Sequence, residues 1–119
     1  MICDVSKIEA GGIAKAFCLY FNLPKTDITF TSKHLIYNGA VNKDVTGLYH
    51  WLTHKIELKT PVSIFTLLHE LTHHLQSHDY GNNDNHGENF NKARSRVITW
   101  ARDNVCPCIN NKLLNMRGY

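Results

Sequence analysis

No apolar run in this chain of 119 residues approaches the ~18 that a membrane-spanning helix needs, so no span is expected. The N-terminus, MICDVSKIEAGG, lacks the basic start and apolar middle of a secretory leader and carries Asp4 and Glu9 instead. An intracellular protein is the expectation, cytoplasmic, or nuclear or nucleoid-associated if it works on DNA. Cysteine is sparse: Cys3, Cys18, Cys106 and Cys108. There is no CxxC pair, and Cys106-Pro107-Cys108 is too closely spaced for a zinc knuckle, so ordinary reduced thiols are expected. Charge of one sign is also scarce. A formal net charge of +3 permits contact with nucleic acid without arguing for it.

Repeats, low-complexity tracts and linkers are missing too. The chain therefore reads as one domain over 1–119, with a core at about 26–104 and a tail at 105–119. Its 43% apolar content suits a packed interior rather than disorder.

Periodicity then assigns the elements. Residues 4–22 read as a helix capped by Asp4 or Ser6, with Val5, Ile8, Gly12, Ala16, Leu19 and Leu23 on its buried face. Alternation in TDITFTS and THKIELK, with HLIYNGAVN and VTGLYHWL between them, predicts an antiparallel sheet of three to four strands over 26–59. Pro61 with Thr60 as cap opens a helix running to about Ser77. Its apolar residues recur at Val62, Phe65, Leu68, Leu71 or Thr72, and Leu75. HDYGNNDNH at 78–86 is loop by composition. A last helix from Gly87 buries Phe90, Ala93, Val97, Trp100 and Ala101. The fold class is α+β: N-terminal helix, small sheet, helix, loop, helix.

Five of the eight histidines fall between Leu67 and Phe90. His69 and His73 are four apart on a helix, sharing a face about 6 Å apart along the axis. Glu70 is rotated roughly 100° from His69, so it can reach a water on a shared ion without ligating that ion. This is the HExxH arrangement of zinc peptidases, with two histidine ligands and a glutamate base. A solvated polar face is the plain alternative, but Leu68, Leu71 and Thr72 set this face near the core, where unliganded imidazoles are costly. His74 and His78 point elsewhere and are expected beside the site or in solvent. For the third ligand His86 is favoured over Glu88, whose place in a helix's first turn already serves the helix dipole. His34, His50 and His54 carry no spacing signal.

With HELTH at 69–73 and HGENF at 86–90, the chain resembles the SprT-like, Spartan-type zinc metallopeptidases, over roughly residues 26–104. HGENF is similar to that family's HGxxF element. The resemblance implies a zincin-like core, one Zn2+ on His69, His73 and His86, Glu70 as catalytic base, and peptide-bond hydrolysis. It further implies action on DNA-associated proteins, although the family's C-terminal zinc ribbon is not matched. The strand at 54–59 is expected to border the cleft and take an extended substrate by strand addition. Tyr80 and Arg94 are the candidates for stabilising the oxyanion. The alternatives are a glutamate-ligand peptidase using Glu88, a hydrolase of non-peptide amides, and a non-catalytic zinc-stabilised module binding DNA or protein. DNA would then meet Lys92, Arg94, Arg96 and Arg102, which otherwise form a solvated helix face.

Overall fold

A computed structural model describes residues 4–81 and 86–109. It is a mixed α+β structure with three helices and small sheets. The chain begins with β1 (Asp4–Val5), which pairs antiparallel with β7 (Val62–Ser63). Helix α1 (Lys7–Phe21) therefore starts later than the periodicity suggests. Ser6 caps it in a reciprocal capping box with Glu9, and Asn22 closes it in the left-handed conformation.

The buried face of α1 is not the expected one. Ala10, Ala14, Phe17 and Cys18 are buried, whereas Ile8 is 89% and Leu19 74% exposed. Most positions on this helix are apolar, so two stripes satisfy a 3.6-residue period, and the ring contacts select between them. Phe17 packs against Phe21 at 4.7 Å and edge-on against Trp100 at 5.4 Å.

The expected single antiparallel sheet is also corrected. Strands β2 (Asp27–Thr31), β6 (Lys55–Lys59) and β5 (Gly47–His50) form a sheet in the order β2-β6-β5. The β5–β6 pair is antiparallel, but β2 and β6 run parallel, with Ile28 opposite Ile56. The stretch between them is long enough for the crossover that a parallel pair demands. Part of it forms a separate hairpin of β3 (Leu35–Tyr37) and β4 (Ala40–Asn42). Its turn holds Asn38 at φ 53° and Gly39 at φ 78°, the two positive angles of a type I′ turn.

Helix α2 (Ile64–Asp79) is capped by Ser63, whose hydroxyl accepts from the Phe65 amide at 3.2 Å. The expected Thr60 cap and Pro61 start fail because Val62 and Ser63 are engaged in strand pairing. Every residue of α2 from Ile64 to Gln76 is buried. The helix touches β5, β6, β7, α1 and α3, so it is the centre of the fold rather than an amphipathic surface helix.

Helix α3 (Glu88–Asn104) buries the five residues expected of it, together with Ile98. After it the Arg102 side chain holds the Ile109 carbonyl at 2.6 Å, and Ile109 is buried. Cys106 and Cys108 are joined as a disulfide rather than left as thiols, their α-carbons 5.3 Å apart and within bridging range. The rest of the expected tail, 110–119, lies outside the described residues, as do Cys3 and part of the 78–86 loop. No helix among the described residues is long and apolar enough to cross a membrane.

Candidate metal centre

His69 and His73 project from one turn of α2, and their ring centroids are 5.0 Å apart. His86 stands one residue before Gly87, the N-cap of α3. The start of that helix carries the imidazole back over α2. The Nε2 atom of His86 lies 3.1 Å from that of His69 and 3.1 Å from that of His73. The potential ligand atoms of all three lie within 4.8 Å of one another. Phe90, one turn into α3, backs the cluster with its ring 4.7–5.1 Å from each imidazole.

This spacing fits a cation. Nitrogens at 2.0–2.1 Å from a tetrahedral Zn2+ stand about 3.3 Å apart. Lone pairs aimed at one point repel unless a positive charge stands among them. The side-chain oxygen of Gln76 lies 3.0 Å from Nδ1 of His73. An amide oxygen only accepts, so Nδ1 carries the proton and Nε2 keeps its lone pair for the shared point. Burial, reinforced by the neighbouring His69, pushes the His73 pKa down to about 3, so the ring is neutral. Burial also lowers the pKa of His86. Neutral imidazole is the form that binds metal. Gln76 was not anticipated, though its i+3 spacing from His73 on a helix is a readable signal.

Glu70 sits beside this cluster in an unusual state. It is fully buried, and neither carboxyl oxygen has a hydrogen-bond partner among the described residues. Burial alone raises its pKa well above the usual carboxylate range. A buried carboxyl with no partner is costly, and such groups mark sites that hold something else in function. Gly47 of β5 admits it: a β-carbon there would stand 3.0 Å from Oε2 of Glu70. Thr46, next to it, meets Thr66 hydroxyl to hydroxyl at 3.1 Å. Gly47 was missed as a site residue, although an isolated glycine inside a strand pattern signals close backbone approach.

The remaining histidines separate from the cluster. His74 is 1% exposed and turned away, between the Tyr49 hydroxyl at 2.8 Å from Nδ1 and the Pro24 carbonyl at 2.8 Å from Nε2. His54 packs beside it, with ring centroids 5.2 Å apart. His78 is exposed and bonded to Asp79. His34 meets Lys59 at 2.8 Å and His50 meets Glu57 at 2.5 Å. Glu88 is exposed and faces Lys92 at 3.5 Å, and the grouped ligands are His69, His73 and His86 without it.

The Tyr80 hydroxyl accepts from Arg96 at 3.3 Å, while Arg94 lies 5.9 Å from the centre of the Phe90 ring behind the histidines. Arg96 is also bonded to Asp79 at 2.6 Å. All four basic residues of α3 are engaged within the chain: Lys92 with Glu88, Arg94 over the Phe90 ring, Arg96 with Asp79, and Arg102 with the Ile109 carbonyl. The strand at 54–59 needs correction as a docking edge. It is β6, the central strand, with both edges paired. The edge strand on the Glu70 side is β5. No protein-family model matches the chain, and neither does any curated protein or solved structure.

Proposed function

We propose that the protein is a zinc-dependent endopeptidase of the SprT-like, zincin type, with His69, His73 and His86 as ligands and Glu70 as general base. One observation carries the reading: a fully buried carboxyl group without a hydrogen-bond partner among the described residues stands next to three imidazoles that converge on one point. Three imidazoles with an open fourth position are the donor set of catalytic rather than structural zinc. Among the described residues no fourth ligand joins the group, which favours an enzyme over a closed, purely structural site.

When bound, Zn2+ acidifies a water to near neutral pH and polarises a carbonyl oxygen. The chain supplies the rest. Glu70 takes the proton from the attacking water and returns it to the leaving amine. Burial raises the pKa of this carboxyl, which favours its taking up the proton. Among the described residues β5 is the outer strand of its sheet, and its backbone edge would hold an extended peptide with little demand on its side chains. Of the two oxyanion candidates, the Tyr80 hydroxyl is engaged by Arg96, and Arg94 lies 5.9 Å from the centre of the Phe90 ring that backs the imidazoles. The substrate is a protein or peptide. Action on DNA-associated proteins rests on the resemblance of HELTH and HGENF alone. The glutamate-ligand alternative is disfavoured by the exposed pairing of Glu88 with Lys92.

The test is Glu70→Gln. This variant keeps its zinc and loses casein cleavage by about 10²-fold or more, the usual weight of a positioned base. Cleavage at the wild-type rate with zinc retained would remove Glu70 from the mechanism.

A further inference from the structure

A cavity of about 540 Å³ lies between α1 and β2, and none of its lining residues belongs to the metal centre. It follows from how the two elements are held. Helix α1 is drawn toward α3 by Phe17 on Trp100, while β2 is tied to β6 by its ladder. The gap between them is lined by Ala14 and Cys18 from the helix and by Ile28 and Phe30 from the strand. Its volume lies within the range of small-molecule sites, and its walls have their character: mostly apolar, with a few polar groups.

Two further features bear on what it takes. Gly11 is on the wall, and a β-carbon added there would meet nothing within 4 Å. Glycine inside a helix costs about 1 kcal/mol relative to alanine, and the chain's own packing does not require it here. Lys15 and Lys25 also line it, both exposed and neither in a hydrogen bond or ion pair among the described residues. The one acid on the wall is Asp27, itself exposed. The ammonium group of Lys7 lies 5.7 Å from the Phe30 ring centre, adding positive charge beside one lining residue.

We infer that this cavity binds a single-chain aliphatic anion of the fatty-acid type, its chain against Ala14, Cys18, Ile28 and Phe30 and its carboxylate at Lys15 and Lys25. The apolar floor takes the chain, and the uncommitted cations select the sign of the head. A ligand so held would join α1 to the sheet at a place where the chain itself leaves them apart. The inference is independent of the peptidase reading, since the two sites share no residue.

The test is calorimetric titration of the full chain with decanoate below its micelle concentration, and with decyltrimethylammonium as the cationic control. Decanoate binds at least about tenfold more tightly than the cation, as expected for one or two ammonium groups at a partly exposed rim. Gly11→Leu narrows the cavity and abolishes binding. Lys15→Glu with Lys25→Glu reverses the preference between the two heads. Both lysines are exposed, so this variant decides the matter even if Gly11→Leu fails to fold. Equal affinity for the two heads would overturn the inference. So would decanoate binding unchanged in the charge-reversed variant, or association with phosphatidylglycerol vesicles without binding of free decanoate.

Discussion

The backbone of Gly47 lies directly against the side chain of Glu70. A β-carbon at position 47 would stand 3.0 Å from Oε2 and 3.1 Å from Cγ of Glu70, and 2.7 Å from Cγ2 of Thr66. The edge strand and the helix bearing the proposed base are therefore in contact at a point where only hydrogen fits. Gly47→Ala is expected to destabilise the fold by about 1–3 kcal/mol, the usual cost of overpacking a close contact. It should displace Glu70 and lower peptide cleavage while zinc content stays at the wild-type level, because none of the ligands is touched. Thermal unfolding and a turnover assay check this together. Wild-type values in both would mean that Glu70 does not depend on this approach.

A glycine in the opposite situation is Gly12 of α1, where an added β-carbon meets nothing within 4 Å. Gly12→Ala is expected to raise stability by about 0.5–1 kcal/mol through helix propensity. Denaturant unfolding measures it. A loss of stability would show that something outside the described residues packs on that position.

These two glycines also mark what the sequence discloses. Local signals were readable: the HELTH spacing, the alternation of Ile56 and Leu58, the Asn38-Gly39 turn and the apolar face of α3. Each depends on residues near one another in the chain. The parallel pairing of β2 with β6 was not readable, because alternation says which face a strand buries and nothing of its neighbour's direction. The buried side of α1 differs from the expected one for a related reason: two apolar stripes compete, and Trp100, far along the chain, settles which one packs. His74 looked like a peripheral histidine, yet it is almost wholly buried between Tyr49 and Pro24. Its partners come from other elements, so no spacing rule could reach them. The convergence of His86 on the pair in α2 was legible as a choice between two residues, and the geometry brings His86 rather than Glu88 to the cluster.

Tyr49, the partner of His74, provides a test by pH. Burial, the largest influence on it, raises its phenol from an ordinary 10.0 to about 12. The folded chain therefore holds this proton where the unfolded chain has lost it. The stability this contributes is fully present below the unfolded value and is lost as pH rises from about 10 towards 12. Alkaline difference absorbance is expected to show one tyrosine ionising late, and Tyr49→Phe should remove that step. A titration in which all tyrosines ionise together near their ordinary value would place Tyr49 in water.

The central claim is that three imidazoles, two from α2 and one from the start of α3, hold a single zinc ion. It is tested most directly by measuring zinc affinity, by competition with a chromophoric chelator, in wild type, His86→Ala and Glu88→Ala. The expected result is one tight site in wild type, unchanged in Glu88→Ala and weakened by more than about tenfold in His86→Ala, since loss of a ligand costs at least what loss of a ligand's supporting partner does. Affinity retained by His86→Ala and lost by Glu88→Ala would contradict the account.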